Sequence, residues 1–145
     1  MKTIRFDTSS PYYSLALALR YDVLRKPLEL QFTAAELEKD KHDIHFALIE
    51  NEQIFACLTL TFYENERVKM RQVATQESEQ GKGYGKTLVA LAEQFAIEKN
   101  ATTIFCHARK TAVPFYKKLG YKIVGDEFKE IELPHFEMEK MLSPK

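Results

Sequence analysis

The sequence has no excess of charge of either sign and no long apolar run. Its 21 Lys and Arg residues balance 21 Asp and Glu residues, so the formal net charge is 0. A nucleic-acid-binding protein normally carries a basic excess that neutralises phosphates, so this class is disfavoured and only a local basic patch stays open. The apolar runs at residues 15–19 and 54–60 are far shorter than the roughly 20 residues that cross a bilayer. The sequence therefore predicts no nucleic-acid partner and no membrane span.

Cysteine is also scarce, with two residues in the chain. Cys57 and Cys106 stand in apolar, β-like runs, where a buried and reduced thiol is the usual state. Their spacing lacks the C-x-x-C pattern, so a redox or nucleophilic role is the weaker interpretation. The first ten residues are not followed by the apolar block and cleavage site of a secretory signal. We therefore expect a cytoplasmic protein.

Length and composition favour one ordinary globular domain. The chain has 145 residues, of which 45% are hydrophobic and 29% are charged, close to the usage of globular proteins. No segment repeats at a fixed period, and no Gly-rich or Pro-rich linker divides the sequence. We expect a single domain over residues 1–145.

Hydrophobic spacing predicts an alternation of strands and helices. Leu15, Leu19 and Val23 follow helical spacing after Pro11, and Pro27 closes that helix. Three β-like runs in the middle of the chain, separated by turn-favouring pairs, predict an antiparallel meander. The predicted strands cover residues 4–7, 44–49, 53–62, 66–74, 102–106, 121–124 and 128–133, and the predicted helices cover residues 11–27, 33–39, 88–100 and 111–119. This order predicts an α/β fold with a mixed sheet and helices on its faces.

Two local signals add detail to this pattern. Thr33 and Glu36 have the spacing of a capping box. In the strand at residues 66–74, apolar and charged residues alternate until Gln72, after which two apolar residues are consecutive. A bulge or a splay at the end of this strand accounts for the break.

Glycine is scarce too, yet three of the five glycines, Gly81, Gly83 and Gly85, fall within five residues. The window lies between a predicted strand and a predicted helix, where free backbone N–H groups and the helix dipole attract an anion. Lys82 and Lys86 add positive charge there. A turn that only lets the strand and helix pack is the alternative. The spacing is neither that of a P-loop nor that of a dinucleotide G-x-G-x-x-G motif, so both nucleotide folds are disfavoured.

Three segments of the chain resemble the GCN5-related N-acetyltransferases, the GNAT superfamily. Gln80-Gly81-Lys82-Gly83-Tyr84-Gly85 matches the Q/R-x-x-G-x-G/A pyrophosphate loop of that family. Residues 107–121 look like its A-x-x-F-Y-x-x-L-G-F segment. Residues 128–138 are similar to the F-x-E-x-x-x-P-H-x-x-M ending of a branch of small bacterial members. The resemblance covers residues 71–138, about half of the chain.

The resemblance implies a fold and a co-substrate. The fold is the acyl-CoA N-acyltransferase fold, with a central, mostly antiparallel sheet, two splayed parallel strands and helices on both faces. Acetyl-CoA would lie in the opening between the strands at residues 66–74 and 102–107, with its pyrophosphate on the loop and without a metal. The cofactor contacts implied in this way are those of Val73, Ala74, Thr75, Gln80, Gly81, Lys82, Gly83, Tyr84, Gly85, Lys86 and His107.

The resemblance also implies direct acetyl transfer from acetyl-CoA to a primary amine of a small molecule or peptide. That reaction needs a neutral amine, a stabilised oxyanion and a proton for the departing thiolate. Tyr116 occupies the position of the proton donor in the matched segment. A phenol with a pKa of about 10 can protonate a thiolate without a strong pKa shift. Packing of Tyr116 in the core is the alternative. Neither cysteine is expected to form a covalent intermediate.

The base and the acceptor contacts stay open at this stage. His45, His107, Glu130 and His135 are the candidate bases, each with a structural role as its alternative, and a chain of water molecules can equally remove the proton. Positive charge on the first helix suits an acidic acceptor, with a solvated helix end as the alternative. The candidate acceptor residues are Arg20, Arg25, His45, Glu130 and His135.

Two other functions compete with this interpretation. A non-catalytic module that binds acyl-CoA and senses it for a partner would keep the glycine loop, although Tyr116 argues against it. An acetyltransferase directed at ribosomal or RNA-bound substrates is disfavoured by the zero net charge. The oligomeric state is open, and a homodimer is one expectation that the resemblance allows.

Overall fold

Residues 1–143, the part of the chain that the computed structural model describes, contain seven strands and four α-helices. The strands are β1 (Lys2–Phe6), β2 (Ile44–Glu50), β3 (Gln53–Phe62), β4 (Arg67–Thr75), β5 (Thr103–Arg109), β6 (Lys122–Glu130) and β7 (Leu133–Met141). The helices are α1 (Pro11–Arg20), α2 (Ala34–Asp40), α3 (Tyr84–Glu98) and α4 (Val113–Lys118), and short π or 3-10 turns cover Tyr21–Arg25, Lys26–Leu28, Glu77–Glu79 and Lys110–Ala112. The predicted mixed α/β class is confirmed. Within the same residues, no helix is both long and apolar enough to cross a membrane.

The first helix is shorter than predicted. It begins at Pro11, after Ser10 caps its first turn, and α-helical geometry ends at Arg20 instead of continuing to residue 27. A π turn and a 3-10 turn replace the last part. Pro27 explains the change, because proline has no N–H to donate and restricts the residue before it.

Two predicted local features are present. The Thr33 hydroxyl accepts a hydrogen bond from the Glu36 N–H at 3.1 Å, and the Glu36 carboxylate accepts one from the Thr33 N–H at 3.0 Å. This reciprocal pair is the capping box at the start of α2. In β4, Gln72 has a positive φ of 56°. A left-handed residue interrupts the alternation of a strand, which confirms the break predicted at this point.

The predicted boundaries of the two C-terminal strands are wrong. The segments at residues 121–124 and 128–133 were predicted as separate strands, but β6 runs through most of both, with Gly125 at a φ of 80° in its irregular middle. The turn comes at residues 131–132, whose φ values are 47° and 62°. A two-residue hairpin turn needs such positive φ values. The sequence pattern did not predict a strand beyond residue 133, because Pro134 follows and proline is depleted from paired strands.

Met1–Thr61 and Arg71–Ala92 form one compact unit. Its strands are paired in the order β1-β2-β3-β4, and the β1–β2 and β2–β3 pairs are antiparallel. Asn51 and Glu52 form the β2–β3 turn with φ values of 51° and 61°, as a two-residue hairpin requires. A hydrophobic cluster joins α1 to these strands and consists of Phe6, Ala16, Leu19, Ala47, Ile49, Ile54, Cys57 and Ala74.

Phe62–Met70 and the chain from Glu93 onward form a second unit. Its strand order is β4-β5-β7-β6. The start of β4 pairs in parallel with β5, from Arg67↔Thr103 to Lys69↔Phe105, whereas β5–β7 and β6–β7 are antiparallel. The parallel β4–β5 pair is the one that the resemblance predicted. A single domain over residues 1–145 stays a prediction, and its last two residues lie outside the described range.

Candidate active site

The glycine loop of the first unit ends at the start of a long helix. Gly81 and Gly83 have φ values of 86° and 85°, and α3 begins at Tyr84. A Cβ atom at either glycine would meet nothing within 4 Å. The backbone conformation, not a lack of space, therefore requires glycine at both positions. Both glycines are exposed, so a role limited to packing the strand against the helix does not account for them.

The lysines of this loop differ in how their charge is used. Lys82 donates a hydrogen bond from Nζ to Glu79 Oε2 at 2.7 Å, and this bond raises the pKa of Lys82. Glu79 thus offsets part of the positive charge in the loop. Lys86 is exposed on the first turn of α3. The backbone N–H groups of the loop and Lys86 are the donors best placed to meet an anion.

The end of β4 is held firmly beside β3 in the first unit. The Gln76 N–H donates to the Phe55 carbonyl at 2.9 Å, and Gln76 Nε2 donates to the Ile54 carbonyl at 2.6 Å. The Phe55 and Tyr84 rings meet edge to face at 6.3 Å between centroids. These contacts brace the strand end, which carries the predicted contact residues 73–75, and the first residue of α3.

Tyr116 lies in the second unit on α4 and is buried. Its ring packs edge to face on Phe115 and Tyr121, at 5.0 Å and 5.6 Å between centroids. Burial raises the pKa of Tyr116 above its ordinary value, so the phenol is a weaker acid in the folded chain than in water. Its burial between these rings fits the alternative that Tyr116 packs in the core, and its role as proton donor stays a prediction. The hydroxyl of Tyr121 is committed to Glu93 Oε2 at 2.7 Å.

The two arginines predicted to contact an acceptor are paired with carboxylates. Arg20 Nη1 donates to Asp40 Oδ2 at 2.9 Å, and Arg25 Nη2 donates to Glu36 Oε2 at 2.7 Å. Arg20 is 1% exposed and Arg25 is 7% exposed, so a solvated helix end is the wrong alternative. An acidic acceptor would reach either guanidinium only if these pairs opened. Their role toward an acceptor stays a prediction.

His45 lies beside this pair and has both ring nitrogens engaged. Its Nε2 donates to the Asp40 carbonyl at 2.9 Å, and its Nδ1 accepts from the Thr59 hydroxyl at 2.9 Å. A carbonyl can only accept, so this set of bonds places the ring proton on Nε2. Burial lowers the pKa of His45, which keeps the ring neutral. These bonds support the structural alternative for His45.

Sequence reasoning missed the residues that complete this buried group. Arg71 Nη2 pairs with Asp43 Oδ2 and lies 3.5 Å from Asp40 Oδ1, while the Tyr13 hydroxyl donates to Asp40 Oδ2 at 2.7 Å. Asp40 is the last residue of α2, where a negative charge opposes the helix dipole and therefore needs a cationic partner. That position was the available signal. We name this set the buried ionic cluster: Arg20, Asp40, Asp43, His45 and Arg71.

A second group forms on one face of the strands in the second unit and includes three predicted residues. His107 Nδ1 lies 3.0 Å from Glu130 Oε1 and 3.3 Å from Lys69 Nζ, and its Nε2 lies 3.6 Å from Glu137 Oε1. His135 Nε2 lies 3.7 Å from Glu130 Oε2. We name this set the histidine–glutamate cluster: Lys69, His107, Glu130, His135 and Glu137. His45, the remaining candidate base, is not part of it.

The first unit also contains an open cavity of about 1060 Å³ beside the end of α1. Leu19, Val23 and Ile54 contribute apolar lining, and three carboxylates face it against one ammonium group, that of Lys26. The candidate site residues are not among its lining residues.

Known proteins match this chain over most of its length. A family model described as an acetyltransferase (GNAT) domain matches residues 22–142. YyaT of Bacillus subtilis strain 168 is 31% identical over 96 residues, which cover 58% of this chain and 65% of YyaT, slightly less than two thirds of that relative. The described fold is similar to an acyl-CoA N-acyltransferase structure from Pseudomonas aeruginosa, with a TM-score of 0.84, 19% identity and coverage of 96% of this chain and 98% of that one.

A second solved structure is an aminoglycoside 6'-N-acetyltransferase complexed with coenzyme A, with a TM-score of 0.80 and 20% identity. The similarity covers 100% of this chain and 99% of that one. At such low identity these two structures establish the fold alone. The predicted acyl-CoA N-acyltransferase fold is therefore confirmed.

Proposed function

The chain belongs to the GNAT acetyltransferase family, and on that premise we propose that it transfers the acetyl group of acetyl-CoA directly to a primary amine of a small molecule or peptide. One observation carries the proposal: two exposed glycines in left-handed conformation stand immediately before a 15-residue helix. This arrangement presents unpaired N–H groups and the positive end of a helix dipole to a diphosphate.

The loop and the strand before it fit the cofactor of this family. Open space at Gly81 and Gly83 lets a phosphate group approach the backbone closely. The chemistry that acetyl-CoA supplies is an activated acyl thioester. The residues proposed to hold it are Val73, Ala74, Thr75, Gln80, Gly81, Lys82, Gly83, Tyr84, Gly85, Lys86 and His107. By family analogy, a backbone N–H at the end of β4 polarises the thioester carbonyl.

Tyr116 is proposed as the proton donor to the departing thiolate. The amine nitrogen forms the new C–N bond, the C–S bond breaks, and the thiolate takes the phenolic proton, which solvent then replaces. The amine arrives as an ammonium ion, so one proton is released for each acetyl group transferred. Tyr116 is assigned this role by its place in the matched segment; burial raises its pKa, so the transfer requires a thiolate that is also desolvated and therefore more basic than in water. A protonated, positioned phenol is the general acid that this step needs.

The first test is thiol release from acetyl-CoA with pools of polyamines, amino sugars, amino acids and short peptides. We expect release with at least one pool. Tyr116→Phe should lower kcat by about 10²-fold, the usual size of a general-acid contribution, and should keep acetyl-CoA binding. Tyr121→Phe is the matched control, because it removes a buried hydroxyl from the neighbouring ring and should leave kcat within twofold. Full turnover by Tyr116→Phe at every pH would overturn the acid role.

The loop is tested separately. Alanine at position 83 would have to adopt a φ of 85°, and the strain of about 1–2 kcal/mol should displace the loop and raise the KM for acetyl-CoA about tenfold. Gly125→Ala is the matched control, because Gly125 has a φ of 80° and equally open surroundings in β6. It should leave that KM unchanged. Binding of acetyl-CoA without thiol release in any pool would favour the sensing module over the enzyme.

The location and assembly of the protein are also proposals. Two free, buried cysteines suit a reducing compartment, which supports the expected cytoplasmic location. The amine pools test which class of acceptor the protein uses. Sedimentation tests whether it forms a homodimer.

A further inference from the structure

The histidine–glutamate cluster contains a side-chain pair with the geometry of an oriented base. Glu130 Oε1 and His107 Nδ1 are 3.0 Å apart, a hydrogen-bond distance. A carboxylate can only accept, so this bond requires the ring proton of neutral His107 to sit on Nδ1. The lone pair is then on Nε2, and His107 is 24% exposed in side-chain area. A nitrogen with a lone pair, accessible to an incoming molecule, is what an acceptor amine needs in order to lose a proton.

We propose that His107 is the general base that deprotonates the acceptor ammonium at Nε2, and that Glu130 is the positioning residue that holds the ring in the required tautomer. The inference rests on the proposed acetyltransferase function. The proton leaves the ammonium nitrogen and joins His107 Nε2, the neutral amine attacks the thioester, and the imidazolium later returns its proton to solvent.

Three charged side chains lie within 4 Å of the His107 ring nitrogens. Lys69 from β4 contributes one ammonium group, and Glu130 from β6 and Glu137 from β7 contribute two carboxylates. The hydrogen bond from His107 holds the pKa of Glu130 below its ordinary value, so Glu130 acts as an anion and not as the base itself.

Lys69 explains why Glu130 is needed. The Lys69 ammonium, 3.3 Å from His107 Nδ1, can donate only to the other tautomer, in which Nδ1 carries the lone pair. Without Glu130, Lys69 at Nδ1 and the Glu137 carboxylate, whose Oε1 lies 3.6 Å from Nε2, would both favour the tautomer with the proton on Nε2. The shorter contact to Glu130 selects the reactive tautomer.

His135 is the weaker candidate for the base. It is 3% exposed, and its Nδ1 donates to the Leu133 carbonyl at 2.9 Å. An acceptor therefore reaches His107 more readily than His135.

The experiment measures kcat/KM against pH with acetyl-CoA and the amine identified in the pools. The wild-type profile should fall on its acid side as His107 takes up a proton. His107→Gln should abolish that limb and lower kcat/KM by about 10²-fold. Glu130→Gln should lower kcat/KM about tenfold, because the ring loses the carboxylate that orients it. The matched controls are His42→Gln and Glu127→Gln, on exposed residues outside the cluster, which should leave the profile unchanged.

A second measurement does not depend on the acceptor. Long-range ¹H–¹⁵N NMR spectra of the imidazoles should show His107 as the Nδ1–H tautomer in the wild type and a shift toward Nε2–H in Glu130→Gln. An Nε2–H tautomer in the wild type, or an unchanged acid limb in His107→Gln, would overturn the inference while leaving the acetyltransferase proposal intact. Absence of wild-type turnover with every amine would instead remove the proposed function and the inference with it.

Discussion

The two units each contain a cluster of ionisable side chains around a histidine, and the two clusters differ mainly in burial. In the buried ionic cluster, Asp40 is 0% exposed and Arg20 is 1% exposed. In the histidine–glutamate cluster, His107 is 24% exposed and Glu130 is 45% exposed. Similar residue types are therefore excluded from water in one unit and in contact with it in the other. Only the second cluster can exchange protons with a visiting molecule.

Burial also changes what each pair costs. Buried ions lose their hydration, and the attraction between them offsets this loss only if the remaining polar atoms also find partners. In the buried ionic cluster, Arg20 Nε and Nη2 and one oxygen of each aspartate lack a hydrogen-bond partner within the described residues. Such a group specifies how α1, α2 and β4 pack, but it contributes little to the free energy of unfolding. The first cluster therefore organises the fold, whereas the second is the one that we propose for proton transfer.

The largest effect is expected from breaking the buried ionic cluster. Asp40→Asn leaves the Arg20 charge buried without its anion, so the free energy of unfolding should fall by about 3–5 kcal/mol. Urea unfolding followed by circular dichroism measures this. Glu38→Gln is the control, because the Glu38–Lys41 pair is exposed and should contribute little to the free energy of unfolding. A loss below about 1 kcal/mol for Asp40→Asn would remove the contrast between the clusters.

Removing a carboxylate charge from the histidine–glutamate cluster should instead lower the activity and leave the stability almost unchanged. Glu130→Gln should leave the free energy of unfolding within about 0.5–1 kcal/mol of the wild type, because an exposed ion pair contributes little to stability. Acetyl transfer should nevertheless fall about tenfold, a transition-state effect of about 1.4 kcal/mol. Unfolding and steady-state kinetics on one preparation compare the two. If stability fell and kcat stayed constant, Glu130 would be a structural residue like Asp40.

A smaller effect is expected from pH acting on His45. Burial lowers the pKa of His45 below 6.5, so the unfolded chain binds a proton more readily than the folded protein. Stability should therefore decrease as the pH falls through about 6.5 and level off below the folded pKa. His45→Gln should remove this component from unfolding curves recorded between pH 5 and 7.5, and His42→Gln should retain it. Identical pH dependence in both variants would contradict the assignment.

The smallest response is expected from the two cysteines, one in each unit. Burial raises the pKa of Cys57 and of Cys106 to about 12, so neither forms a thiolate near neutral pH. Iodoacetamide at pH 8 should modify neither residue in the native protein and both after denaturation, as mass spectrometry of peptides would report. Fast labelling of one cysteine in the native state would show that its unit opens locally.

Several features could be predicted from the sequence because they depend on neighbouring residues. The capping box of Thr33 and Glu36, the hairpin turn at Asn51 and the break at Gln72 each depend on residues close in the chain. The helix that ends at Arg20 and the strand that contains Pro134 were predicted poorly, because a π turn and a paired proline run against local preference.

The candidate site divides in the same way. The glycine loop could be predicted because its glycines lie within five residues of the chain and their conformation is a local property. The partners of Arg20 and His107 were not readable, because Asp40 is 20 residues away and Glu130 is 23 residues away. No periodicity marks which acid meets which base across such distances.

The sequence by itself determined the order of strands and helices, the family and the loop proposed to hold acetyl-CoA, because spacing, caps and glycine conformation act over a few residues. Only the tertiary structure decided which charges are buried in pairs and which remain in reach of an acceptor. Strand pairing brings Lys69, His107 and Glu130 together from three separate strands. Their protonation then depends on burial and neighbouring charge, and both exist only in the folded chain.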